Sequence, residues 1–91
     1  MSSVRIPPVL RDSTDGQRTV SASGATVAQI LEDLFDRYPA LRARVTEDGE
    51  LSQFVNVYVN DRDVRYRDGL DTEVGPDDTV ILLPAMAGGV R

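Results

Sequence analysis

The sequence predicts an α+β domain of two layers, a mixed sheet of four to five strands packed on one main helix. Three observations carry this expectation. One segment, residues 27–38, repeats its apolar side chains at helical spacing. Short runs rich in β-branched residues stand on both sides of it, separated by turn residues. A single helix covers only one face of a sheet, so two layers bury the apolar surface of both.

The elements follow in order. Val4-Arg5-Ile6 opens an alternating segment that Val9-Leu10 extend past Pro7-Pro8, a placement that suits an edge or a bulge. Residues 11–16 carry turn chemistry, with Asp15-Gly16 as a hairpin signal. Residues 18–22 return as a second strand, so the chain opens with a hairpin. Thr26 and Gln29 stand at capping-box spacing at the head of the helix. Val27, Ile30, Leu31, Leu34, Phe35 and Tyr38 form one apolar stripe, opposite Glu32, Asp33, Asp36 and Arg37. The stripe reads as core against the sheet and the acidic side as solvated surface. Pro39 stops the helix at Arg37 or Tyr38, because its ring disfavours a helical residue before it.

Residues 40–44 hold a further short helical turn, 46–50 form a loop, and 51–53 a brief turn. Residues 54–59 are the clearest strand. Val55, Val57 and Val59 share the face toward the helix, while Phe54, Asn56 and Tyr58 line the other. Aromatics on an open sheet face are either scattered surface residues or a docking patch. Residues 60–63 turn the chain, Val64-Arg65-Tyr66 make a short return strand, and Leu70 anchors the irregular segment 67–74. After the turn at 75–78, residues 79–83 form the last strand, whose run Val80-Ile81-Leu82-Leu83 places it centrally and buried on both sides. A hairpin, a crossing helix and a strand returning beside the first make a β-grasp plan, the ubiquitin-like roll.

Composition bounds the function. Ninety-one residues make one domain, and a hydrophobic content of 41% is dispersed rather than gathered into a membrane span. The N-terminus lacks the apolar stretch of a signal peptide, so a cytoplasmic location is expected. The absence of cysteine and histidine excludes disulfides, thiolate catalysis, the usual zinc sites and iron–sulfur clusters. It also removes the commonest general base near neutral pH. The net charge is −5, and all 10 cations are arginine. Such a balance offers nucleic acid no basic face. Without lysine, the chain accepts no isopeptide linkage except at its amino terminus.

Residues 1–84 are expected to form the domain and 85–91 a flexible tail. No ionisable residue occurs between Thr79 and Gly89, although 27% of the chain is charged. Pro84 ends the last strand because its ring nitrogen has no N–H to donate. Gly88 and Gly89 let the backbone pass through a gap too narrow for any Cβ, and six extended residues from Pro84 reach roughly 20 Å. A frayed end is the plain alternative. Placed directly after a buried strand, the tail reads as an arm that enters another protein's active site.

The Thr26-Val27 helix start, the Tyr38-Pro39 stop, Val57-Tyr58-Val59-Asn60, Pro76-Asp77-Asp78-Thr79-Val80 and Ala87-Gly88-Gly89 occur in one order and spacing. In this the sequence resembles the ubiquitin-like sulfur-carrier proteins of the ThiS/MoaD family, nearly end to end. Phe54-Val55-Asn56-Val57-Tyr58-Val59-Asn60-Asp61 and Leu83-Pro84-Ala85-Met86-Ala87-Gly88-Gly89 bring it nearest to the carriers of cysteine biosynthesis. The resemblance implies that an E1-like adenylyltransferase and sulfurtransferase adenylates the Gly89 carboxylate with Mg-ATP. A sulfur donor then displaces AMP and leaves a thiocarboxylate. It further implies delivery to a sulfur-accepting enzyme, such as a pyridoxal-phosphate-dependent cysteine synthase or another sulfur-incorporating enzyme. Phe54 and Tyr58, with Pro84, Ala85, Met86 and Ala87, are the expected partner contacts. No cofactor is expected on the chain itself, which is a protein co-substrate rather than an enzyme. One feature departs from the family pattern: Val90-Arg91 follow Gly89. Either a JAMM-type zinc peptidase cuts between Gly89 and Val90, or the two residues are an appended remnant. The competing expectations are the small subunit of molybdopterin synthase, a protein modifier joined through Gly89 to target lysines, and a ubiquitin-like binding module.

Overall fold

A computed structural model describes residues 2–84; the expected tail at 85–91 lies outside the described residues. The chain opens with β1 (Ser2–Arg5), where the β-branched Val4 points inward and Ser3 and Arg5 point out. It pairs antiparallel with β2 (Thr19–Ala22), Val4 opposite Val20. The connection departs from the expected strand extension: Pro8–Ser13 form a 3-10 helix. Pro8 takes a first-turn position, where a missing N–H costs nothing, and Leu10 turns into the core. Asp15 and Gly16 have φ of +55° and +82°, and the Gln17 N–H donates to the Thr14 carbonyl oxygen at 2.9 Å. The Asp-Gly signal therefore marks a true reversal, set within a longer connection rather than between the strands.

The main helix, α1 (Val27–Arg37), starts on the Thr26 hydroxyl, which accepts from the Gln29 N–H, while the Gln29 side chain accepts from the Ala25 N–H. Val27, Ile30, Leu31, Leu34 and Phe35 are all buried. Past Pro39 comes α2 (Ala40–Val45), which adds Leu41 and Val45 to the core. The expected loop at 46–50 is a small hairpin, β3 (Thr46–Glu47) with β4 (Glu50–Leu51), closed by Asp48 and Gly49 at φ of +54° and +82°. Two successive positive φ angles match the twist of a two-residue hairpin.

β5 (Val55–Val59) buries Val55 and Val57 against the helix and leaves Val59 half-buried on the same side. The return strand β6 is only Arg62–Asp63. Val64–Tyr66, expected as a strand, is a 3-10 turn: the Asp63 carboxylate accepts from the Arg65 N–H at 2.9 Å, and Val64 is driven fully inward. A second such turn spans Gly69–Asp71. The chain then enters β7 (Thr79–Pro84), which runs one residue past the apolar stretch so that Pro84 faces Val55.

The sheet order is β2-β1-β7-β5-β6, with β1 and β7 parallel and the other neighbours antiparallel. This is the expected mixed, β-grasp arrangement of five strands. β7 is central, as its composition predicts, but it is not buried on both sides. Val80 and Leu82 are in the core, whereas Ile81 is half-buried and Leu83 is 41% exposed. The helices cover one face of the sheet, and nothing among the described residues covers the other.

Candidate functional site: the open face at the root of the tail

Strand register decides which side chains share the uncovered face. Arg5 lies opposite Ile81, and Ile81 opposite Tyr58. Tyr58 in turn faces Asp63, and Leu83 faces Asn56. A row from β1 to β6 thus runs cation, aliphatic, aromatic, acid, with Leu83 and Asn56 beside it. The rim is held rigidly. The Arg65 guanidinium donates to the Ser52 and Val55 carbonyl oxygens at 2.8 and 3.0 Å, and also to the Asn56 side chain. These bonds fix the start of β5 against the turn that follows β6.

Phe54 does not join this face. It precedes β5 and is 56% exposed. It lines a separate shallow groove of about 300 Å³ with Val9, Leu10, Arg44, Val55 and Pro84. Arg44 builds that groove's wall: its guanidinium donates to the Asp12 carboxylate at 2.7 Å, the Ser13 hydroxyl at 3.0 Å and the Val9 carbonyl oxygen at 2.8 Å. The hydrogen bond from Arg44 holds the Asp12 carboxyl below its ordinary range. The sequence expectation of one aromatic patch therefore divides in two. Tyr58 sits on the open sheet face, Phe54 in a neighbouring groove, and Pro84 stands at the root of the tail.

Pro84 is the last described residue and also borders a second groove, where Arg5, Arg11 and Arg18 come together. Sequence reading did not single out Ile81, Leu83 or these arginines. The signal for the two aliphatics was present: a run apolar on both faces, in a fold with helices for only one, leaves one face to be covered from outside. Ala85, Met86, Ala87, Gly88, Gly89 and Val90 lie outside the described residues.

A mixed five-stranded sheet wrapped on one long helix, its last strand central and running straight into the C-terminal residues, defines a ubiquitin-like β-grasp protein. The ThiS family model matches residues 4–89, and the chain belongs to that family. It is 46% identical over 89 residues to the sulfur carrier protein CysO of Mycobacterium tuberculosis, covering 94% of this chain and 96% of that one. Its fold matches the crystal structure of the Amycolatopsis orientalis BexX/CysO complex with a TM-score of 0.91 at 46% identity, over 98% of this chain and 100% of the other. The solution structure of small archaeal modifier protein 1 from Methanosarcina acetivorans matches with a TM-score of 0.85 at 29% identity, covering 97% and 95% of the two chains. Proteins of the ThiS type are small protein substrates, and this chain stands with them rather than with enzymes.

Proposed function

We propose that the chain is a sulfur carrier whose working group is the Gly89 carboxylate, exposed once Val90-Arg91 are removed. The observation that carries this reading is the reach of the family match, which continues through the tail and stops at Gly89. A carboxylate is a poor electrophile until one oxygen becomes part of a leaving group. An E1-like partner using Mg-ATP joins that oxygen to AMP with loss of pyrophosphate, the partner's metal and cations stabilising the charge. A sulfide ion then attacks the acyl carbon, the bond to AMP breaks with AMP carrying off the oxygen and its electron pair, the sulfur gives up its proton, and Gly89 ends as a thiocarboxylate.

The chain's own contribution is presentation. The domain offers Ile81, Leu83 and Tyr58 as an apolar docking face, with Pro84 leading away from it. The uncharged stretch after Thr79 brings no unpaired charge into a narrow channel. The recipient is a sulfur-incorporating enzyme, and cysteine is the favoured product given the likeness to CysO. A cytoplasmic setting and a zinc peptidase that trims or releases the tail complete the proposal. The likeness to a small archaeal modifier protein favours, as a second reading, conjugation of Gly89 to amines of other proteins.

The test is intact-mass spectrometry after incubation with the E1-like enzyme, Mg-ATP and sulfide. The chain ending at Gly89 is expected to gain the mass of an oxygen-to-sulfur exchange, and the chain ending at Arg91 is not. Equal conversion of both, with sulfur on Arg91, would reject Gly89 as the working end. A covalent adduct to a protein amine in place of the thiocarboxylate would favour the modifier reading.

A further inference from the structure

Arg5 on β1, Arg11 in the 3-10 connection and Arg18 before β2 converge on a groove of about 450 Å³. Pro7, Leu83 and Pro84 supply an apolar part of its walls, and among the described residues no carboxylate lines it. That is notable in a chain with 15 acidic residues against 10 arginines. The ion pairs among the described residues use Arg37, Arg42 and Arg44. Among the described residues Arg11 donates its Nε–H alone, to the Ile6 carbonyl oxygen at 3.1 Å, which holds the side chain along the groove. Three guanidinium groups gathered with no acid among the described residues beside them repel one another and present planar donor forks, the geometry that fits carboxylates in pairs of hydrogen bonds.

We propose that this groove binds an acidic segment of the E1-like enzyme that takes the tail for adenylation. Its carboxylates pair with Arg5, Arg11 and Arg18, and an apolar side chain rests on Pro7 and Leu83. The identity of that protein as the activating enzyme rests on the carrier reading above; the chemistry of the groove does not. Position supports the assignment. Pro84 is at once the end of β7 and a wall of the groove. Gly89 lies five residues further, so it is at most about 18 Å from that wall. Any protein that closes on Gly89 brings its own surface over these arginines. A nucleic acid is a poorer occupant, because a net charge of −5 repels a long polyanion at distance. A carboxylate seated within the groove meets the arginines well inside the screening length of about 10 Å in ordinary salt.

Two measurements test this. The first is an amide-resolved NMR titration of the chain with a short acetylated peptide of alternating glutamate and leucine. Shifts are expected at Arg5, Thr19, Ile81 and Leu83, weakening severalfold between about 20 and 200 mM salt. They are expected to vanish in the Arg5→Glu/Arg18→Glu variant and to persist in Arg5→Lys/Arg18→Lys. Spectra unchanged elsewhere show that the exposed substitutions leave the fold intact. The second is pyrophosphate release by the E1-like enzyme with chains ending at Gly89. There the charge-reversed pair is expected to raise KM about tenfold, with kcat within about twofold. Absent or reversal-insensitive peptide shifts would overturn the groove's chemistry, as would equal competition by a single-stranded oligonucleotide. A salt-sensitive dimer abolished by the reversal would reassign the groove to a second copy of this chain. An unchanged KM would show that the acid is not on the enzyme that takes the tail. Failure of the unaltered chain to be adenylated, with the peptide titration as expected, would strike the carrier reading alone.

Discussion

Gly24 shows how far a single position is governed by contacts the sequence does not display. A Cβ built there would lie 2.7 Å from the Gln29 Cβ and 2.7 Å from the Ile30 backbone nitrogen, closer than real side chains approach. The chain leaving β2 passes hard against the first turn of α1, and only a hydrogen fits between. Gly24→Ala is therefore expected to cost about 1–3 kcal/mol through overpacking. The readout is a lower urea midpoint at unchanged m-value; an unaltered midpoint would mean the segment moves aside freely. In the sequence Gly24 is simply a residue ahead of a cap, since close approach is a tertiary property. Arg44 was similarly silent: its three partners, Val9, Asp12 and Ser13, lie 31 to 35 residues away. By contrast Thr26 and Gln29 were legible because capping chemistry is local and sits at fixed spacing.

Elements with a period were readable, and elements without one were not. The α1 stripe and the inward valines of β5 follow from repeats of 3.6 and 2. The 3-10 turn Val64–Tyr66 has three residues and no period, and its β-branched and aromatic content imitates a strand. The start of β7 shows an element fixed by polar bonds instead. The Thr79 N–H donates to the Asn60 side-chain oxygen, and the Asn60 amide donates to Asp78, at 3.0 Å each. The Gly75 N–H donates to the other Asp78 oxygen at 2.8 Å. The Gly75 bond first, then the Asn60 bond, holds the Asp78 carboxyl below its ordinary 3.8. A carboxyl depressed on folding contributes stability that is fully present above its unfolded value and lost as pH falls through the folded one. Unfolding midpoints are thus expected to be level at neutral pH and to fall below about pH 4. Asp78→Asn, which keeps the shape and removes the titration, is expected to make that acid limb shallower. An acid limb identical in the two proteins would show that Asp78 is not linked to folding.

At the scale of the whole molecule, the fold sorts the surface around Pro84 into distinct territories. Tyr58, Ile81 and Leu83 share the open sheet face with Arg5, which together with Ile81 and Leu83 also lines the groove of Arg11 and Arg18, while Phe54 belongs to the groove under Val9 and Arg44. The two aromatics should consequently behave differently. Tyr58→Ala is expected to weaken binding to the activating enzyme about tenfold, the loss typical of a central aromatic contact. Phe54→Ala is expected to change it far less, with both variants melting close to the unaltered chain. Titration calorimetry checks this, and the reverse ranking would move the docking surface to the Phe54 groove. The layer count and the crossing helix were legible from element order, and the central place of the last strand from its continuous apolar run. The exposure of Ile81 and Leu83 was legible only once the helix count was set against their run, because burial by a partner and burial by one's own core select the same residues.

The placement of β7 also has a mechanical consequence. The strand that leads to the proposed working end is clamped on both sides, by β1 running parallel and by β5 running antiparallel, along residues 79–81 and 80–84 respectively. A tug transmitted along that strand from Pro84 loads both ladders in shear, so several backbone hydrogen bonds must yield together before the strand slides. Had the tail continued from the two-residue edge strand β6, the same tug would peel bonds away one after another. In the proposed carrier role, a recipient draws the chain end into its own body, and releases it again, without unravelling the domain that delivers it.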